Sequence, residues 1–276
     1  MIPARRDQDV AVVVRVLPAL AAVVLILLSG GTADGDDTVF YGSAAALYPA
    51  KTVDVSLESE TVVFTESKDG WDVSAMLVFK NLTGRAVTVK VGFPDNDIPD
   101  DRNEVWAQKT YKPATLVKNL SVFIDDRPVK YELVTTSNSA SWRQAFIFDI
   151  TFPPQRRTTI FHTYHIDGFY VSGGTHGVPY ILETGANWAG KIKEASFIYR
   201  FLSPPVNMKI RYGNTVISPR GDGKPRLQQG EIPFGYKVDY VAGPQPMLTL
   251  TFSDFEPLKR ADLTVVYATD LIACAI

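Results

Sequence analysis

The chain has 276 residues, with 28 Lys and Arg against 30 Asp and Glu, a formal net charge of −2, and 46% hydrophobic residues. That apolar fraction excludes a wholly disordered chain, and the near-balance of charge removes the broad basic surface that nucleic-acid binding requires. A single cysteine, Cys274, excludes an intramolecular disulfide framework and any multi-thiolate zinc or iron–sulfur site.

Arg5, Arg6 and Arg15 precede an apolar run from Val16 to Leu28, which is followed by Ser29-Gly30-Gly31-Thr32-Ala33. Basic residues, an apolar run and small residues in that order predict a secretory signal peptide over residues 1–33, cleaved after Ala33. The run is short for a spanning helix, which needs about 20 apolar residues; an uncleaved anchor is the alternative. No later stretch is long and apolar enough to span, so no membrane span is expected after cleavage. A nearly cysteine-free exported chain fits a bacterial periplasm or secretion from a bacterium.

From residue 53 onward the dominant period is two. Val53, Val55 and Leu57 alternate with Asp54, Ser56 and Glu58, and the pattern continues through Val62 to Phe64 until Lys68-Asp69-Gly70 signals a turn. Val73, Ala75, Leu77 and Phe79 form the next stripe; Val87, Val89, Val91 and Phe93 form a third, ended by Pro94. These three segments predict an antiparallel meander. Leu120 to Ile124 and Val129 to Leu133 flank Asp125-Asp126, a tight hairpin signal. Ala145 to Phe152 and Thr159 to Ile166 add two strands, and residues 167–179 hold the densest cluster of Gly and Pro. Beyond it Ile192 to Leu202, Val206 to Tyr212, Phe234 to Val241, Met247 to Phe252 and Leu263 to Tyr267 predict further strands. No segment sustains a helical period beyond about ten residues.

The expected fold is therefore all-β, an antiparallel β-sandwich organised as two sandwich-like domains. The N-terminal one takes residues 34–166 and the C-terminal one 180–276, with 167–179 as a Gly/Pro-rich connector.

Several stretches resemble one another's counterparts in a known family. They are Leu57-Glu58-Ser59-Glu60, Val78-Phe79-Lys80-Asn81, Val91-Gly92-Phe93-Pro94, Phe252-Ser253-Asp254-Phe255-Glu256-Pro257 and, most distinctive, Tyr180-Ile181-Leu182-Glu183-Thr184-Gly185-Ala186-Asn187-Trp188-Ala189-Gly190-Lys191-Ile192. Together these resemble a family of uncharacterised exported bacterial proteins, a domain of unknown function, whose hallmark is Tyr-x-Leu-x-Thr-Gly followed by Trp-x-Gly-x-Ile. After Phe93-Pro94 this chain runs acidic where the family has a second proline. The resemblance implies export and a β-rich fold, and supplies no reaction, cofactor or partner.

Two loops are candidates for binding. Glu183, Asn187 and Trp188 sit among glycines that allow a sharp turn, as a stacking and hydrogen-bonding platform for a ligand; the competing role for Trp188 is core packing. Asp95, Asp97, Asp100, Asp101 and Glu104 crowd one stretch and supply hard oxygen ligands for a Ca²⁺-like ion, although the spacing fails the EF-hand template. His162 and His165, three apart on a predicted strand, face opposite ways and cannot grip one metal together. Arg220-Gly221-Asp222 is an integrin-type tripeptide with no role expected in a periplasm.

No catalytic residue and no cofactor are assigned. The expected function is a non-enzymatic binding or structural role in the bacterial envelope, the chain acting as a monomer with an envelope protein or a glycan as partner. The alternative is a periplasmic carbohydrate- or peptide-directed hydrolase, using carboxylates of Asp95–Glu104 beside His162 or His165.

Overall fold

The computed structural model describes residues 38–41, 48–95, 117–135, 144–167, 169–171, 175–213, 215–219, 225–229, 234–257 and 262–269. In chain order the strands begin with β1 (Thr38–Tyr41), β2 (Tyr48–Ala50), β3 (Val55–Ser67), β4 (Gly70–Asn81) and β5 (Val87–Asp95). There follow β6 (Lys118–Ile124), β7 (Arg127–Val129), β8 (Glu132–Thr135), β9 (Gln144–Phe152), β10 (Arg157–Ile166), β11 (Phe169–Val171) and β12 (Thr175–Tyr180). The last are β13 (Ile192–Arg200), β14 (Val206–Tyr212), β15 (Thr215–Pro219), β16 (Pro225–Gln229), β17 (Gly235–Val241), β18 (Met247–Phe255) and β19 (Leu263–Ala268). One 3-10 turn, Glu183–Asn187, precedes β13, and no α-helix occurs among the described residues.

The all-β, sandwich-like expectation holds. A central eight-stranded sheet runs β17-β18-β13-β3-β4-β10-β6-β7, with a five-stranded sheet β2-β1-β5-β9-β8 and a six-stranded sheet β11-β12-β19-β14-β15-β16. Among the described residues every pairing is antiparallel except β3 with β13, which is parallel. Strands from both sides of the expected connector thus share one sheet, and residues 169–171 and 175–179 of that connector, continued by Tyr180, form a hairpin of the six-stranded sheet.

The alternation read from the sequence decides which side of the central sheet is buried. Val238, Leu250, Phe197, Val62, Ala75, His162 and Val122 lie in register across seven strands, and all are buried. Both smaller sheets pack on that one face. The five-stranded sheet reaches it through Phe93, edge-on to His162 and Tyr164, and through Phe152 beside Phe79. The six-stranded sheet does so through Tyr180 on Phe64, Tyr267 on Trp71 and Tyr212 on Phe252. One layer of the sandwich is a single sheet; the opposite layer is split in two.

The β3–β4 hairpin closes at Lys68-Asp69 as expected, with Ser67 opposite Gly70. Gly70 has φ +143°, and a Cβ there would stand 2.2 Å from the Ile166 carbonyl oxygen, so only glycine fits. Asp125 and Asp126 both take positive φ (45° and 62°) in the two-residue turn joining β6 to β7. The predicted run from Val129 to Leu133 divides: β7 stays in the central sheet and β8 joins the five-stranded one.

The expected meander breaks after two strands. β5 does not pair with β4 but crosses to the five-stranded sheet, between β1 and β9. Asn81 makes that corner. It is fully buried; its Nδ2 donates to the carbonyls of Arg85 (2.7 Å) and Phe152 (2.9 Å), and its Oδ1 accepts from the Thr83 amide (2.8 Å). These bonds hold the chain where it leaves one sheet and tie it to β9 of the next. Replacing Asn81 by Ala strands those groups in the interior. An Asn81→Ala variant is expected to lose about 3 kcal/mol in denaturant unfolding; a loss under about 1 kcal/mol would mean the corner is held by other means.

Candidate functional site

The outer face of the central sheet is the one the other two sheets do not cover. Along it Thr61, Met76, Phe161 and Phe123 lie in register, with Met76 and Phe161 exposed. Toward one end this face holds a groove of about 380 Å3, where Thr65 of β3, Asp72 and Ser74 of β4, Asn119 of β6, and Thr163 and His165 of β10 converge. Asn119 has φ +55°, and the β6–β10 register slips between Thr163 and His165. A bulge of this kind turns a side chain away from the regular pleat, here into the groove wall.

His165 and Asp72 are directly opposed across β10 and β4. Nδ1 of His165 lies 2.9 Å from Asp72 Oδ1, and its Nε2 lies 3.6 Å from Asp167 Oδ1. Lys118 Nζ donates to both oxygens of Asp167 at 2.6 and 2.7 Å. The imidazole is therefore fixed between two carboxylates, beside hydroxyls and an amide that can donate or accept. His162 faces the other way, as the odd spacing requires. It is fully buried edge-on to Phe93 and Phe148, and burial pushes its imidazole down to about 3, so it stays neutral.

The hallmark turn lies elsewhere. Trp188 is only 1% exposed and packs on Phe79 (centroids 4.4 Å apart) and Phe152, so its ring faces the core; this is the packing role. Asn187 is half-buried, and its carbonyl accepts from the Thr52 amide at 2.8 Å; Glu183 opens the 3-10 turn. Of the acidic stretch, Asp95 ends β5 fully buried, accepting from the Val117 amide (3.2 Å) and from Gln144 Nε2 (3.0 Å). Asp97, Asp100, Asp101 and Glu104 lie outside the described residues, as do residues 1–33, Arg220-Gly221-Asp222 and Cys274. Among the described residues no group of three or more His, Cys, Asp and Glu is arranged to hold a metal ion.

Two acids of β3 were not singled out by sequence. Glu58, at the β3 bulge, accepts from Arg157 Nε (2.5 Å) and Lys193 Nζ (2.7 Å), which hold its carboxyl below the usual range. Glu60 points the other way, into the core. Its Oε1 accepts from the Tyr180 hydroxyl, while Oε2 has no hydrogen-bond partner among the described residues. Burial pushes its carboxyl up to about 7, against the smaller opposing effect of the tyrosine. The signal that could have found the pair is that Glu60 breaks the alternation of β3 and that Tyr180 opens the hallmark.

Comparison with known proteins gives the chain partial relatives. The model of a family described as a domain of unknown function (DUF4424) matches residues 35–141. That bears out the resemblance to an uncharacterised family over that stretch, and leaves Tyr180–Ile192 outside it. No curated protein matches the chain in sequence. Among solved structures, a Legionella pneumophila protein described as a "putative nutrient binding protein" is 21% identical, with 85% of this chain and 73% of that one covered and a TM-score of 0.58, so the fold is shared. An M1 zinc metallopeptidase from Deinococcus radiodurans (11% identical, 82% and 45% covered, TM-score 0.36) and aminopeptidase A of Legionella pneumophila (12%, 79% and 22%, 0.37) are too distant to bear on function.

Glu60 makes stability depend on pH. Its folded carboxyl titrates near 7 and the unfolded one near 4.5, so between these values the folded chain holds a proton that the unfolded chain has lost. Stability is then fullest below about pH 4.5, falls by about 3 kcal/mol as pH rises to 7, and is level above. In Glu60→Gln that slope should vanish from denaturant melts across this window. A slope unchanged by the substitution would assign the pH dependence to another group.

Proposed function

We propose that the chain is an exported envelope protein with a non-enzymatic binding role, taking a small hydroxyl-rich ligand such as a simple glycan in the groove beside His165. The observation that carries this reading is the convergence of Thr65, Asp72, Ser74, Asn119, Thr163 and His165 from four adjacent strands. A set of short hydroxyl, amide, carboxylate and imidazole groups suits the alternating donors and acceptors of a polyol. The sheet holds them rigidly, so little ordering entropy opposes binding. Met76 and Phe161, farther along the same face, offer apolar surface on which a sugar ring can rest. The fold shared with the Legionella protein supports a binding role, since that protein is described as a "putative nutrient binding protein".

Export rests on the basic, apolar and small-residue order of residues 1–33. The hydrolytic alternative gains nothing from the Asp72–His165 pair, which stands on an open face rather than in an enclosed pocket.

Isothermal calorimetry against simple mono- and disaccharides tests the site. At least one is expected to bind, with affinity falling about tenfold in Thr163→Val and further in Asp72→Ala. Failure of every sugar, or equal binding by both variants, would remove the groove as the site. Fractionation should recover a periplasmic or secreted chain starting at Asp34; an intact chain in the cytosol would overturn export.

A further inference from the structure

Among the described residues the three sheets have six edge strands, and five of them are blunted in ways that discourage pairing. β2 is three residues long and contains Pro49; β7 is three residues long and contains Pro128. β8 has four residues and β11 three. β16 opens on Pro225 and slips register against β15. The sixth, β17, differs. It runs seven residues without proline and pairs with β18 in unbroken register from Gly235 to Val241. Among the described residues nothing hydrogen-bonds to its free edge. Its inward side carries no charge: Tyr236 and Tyr240 are half-buried against the core on either side of buried Val238.

The sequence of this strand, Gly-Tyr-Lys-Val-Asp-Tyr-Val, is self-complementary about its centre. If two copies meet antiparallel with Val238 opposite Val238, each Tyr236 faces a Tyr240 and each Lys237 faces an Asp239. Lys237 and Asp239 share the outer face, where their side chains are 73% and 49% exposed and lie 2.6 Å apart. Pairing would extend that contact into a four-charge cluster of alternating sign, while the tyrosines cover one another on the inner side.

We propose that β17 is a self-association edge, on which a second copy of this chain docks antiparallel about a two-fold axis at Val238 to give a sheet continuous through both copies. Opposite-charge and aromatic cross-strand pairs favour this register over slipped ones, which would set Lys237 or Asp239 against apolar or like-charged partners. The contact is a closed, isologous one, so it stops at a dimer. Two seven-residue edges make a small interface, so the dimer is concentration-dependent rather than permanent.

Sedimentation equilibrium of the chain as the cell processes it, over a wide concentration range, reads this directly. Wild-type protein is expected to show a monomer–dimer equilibrium. Lys237→Asp and Asp239→Lys each place like charges opposite one another at both symmetric positions and should weaken it roughly tenfold. The double variant Lys237→Asp/Asp239→Lys restores opposite charges and should regain the wild-type constant, as should an equimolar mixture of the two single variants. Both side chains are exposed, so circular dichroism should show every variant folded. A monomer at all concentrations, a dimer indifferent to either single change, or a double variant as weak as the singles would each overturn the proposal.

Discussion

Two backbone hydrogen bonds set the course of the whole chain. The Thr52 amide donates to the carbonyl of Asn187, and the Ala189 amide donates to the carbonyl of Val55, both at 2.8 Å. They stitch the hallmark turn to the residues that open β3, so β3 and β13 leave the same point in the same direction. The only way β13 can then satisfy its backbone beside β3 is as a parallel neighbour, which it is from Glu194 opposite Ser59 to Arg200 opposite Thr65. Trp188 makes the stitch durable by filling the space against Phe79 and Phe152. A fully buried side chain of that size anchors the turn by its apolar packing.

Once β13 is seated, the rest of the layering follows. The five-stranded sheet draws its strands from residues 38–152 and the six-stranded sheet from residues 169–268, yet both rest on one face of the sheet that β3 and β13 join. β3 also holds the six-stranded sheet by two acids. Glu60 accepts from Tyr180 of β12, and Glu66 accepts from Tyr267 of β19 while its other oxygen takes the Leu202 amide. Between these ties Phe64 stacks on Tyr199 with centroids 4.5 Å apart. Because all the packing is gathered on one side, the opposite face is left to present polar and apolar side chains at fixed spacing. That division gives the groove and the β17 edge a rigid support.

Much of the strand content was legible because period two survives in a half-buried sheet: Val73, Ala75, Leu77 and Phe79 announce β4 without ambiguity. What the same period cannot convey is sheet membership. Val87, Val89, Val91 and Phe93 read like the next strand of a meander, and the crossing is revealed by the pairing of β5 with β1 and β9 and by the bond of Asn81 to Phe152, 71 positions away. β12 was hidden for a different reason. Gly177 and Pro179 look like breakers, but Val178 and Tyr180 between and after them are buried against the core and pair with β19. The groove was harder still. Asp72, Ser74 and Thr163 look like any outward polar residues until the register sets Asp72 opposite His165, and register is a property of paired strands rather than of either one. Trp188 was legible as important and ambiguous in role, since a large aromatic among glycines serves a turn or a ligand equally well; its burial shows the turn.

The central claim is that the parallel β3–β13 pairing makes the eight strands one cooperative sheet. Native-state hydrogen exchange with rising denaturant measures it, followed at Val62 and Val63 of β3 and at Phe197 and Ile198 of β13. These amides should converge on a single opening free energy equal to that of global unfolding. If β13 and β18 instead open together at distinctly lower free energy while β3 and β4 stay protected, the sheet is two units in contact and the account is wrong.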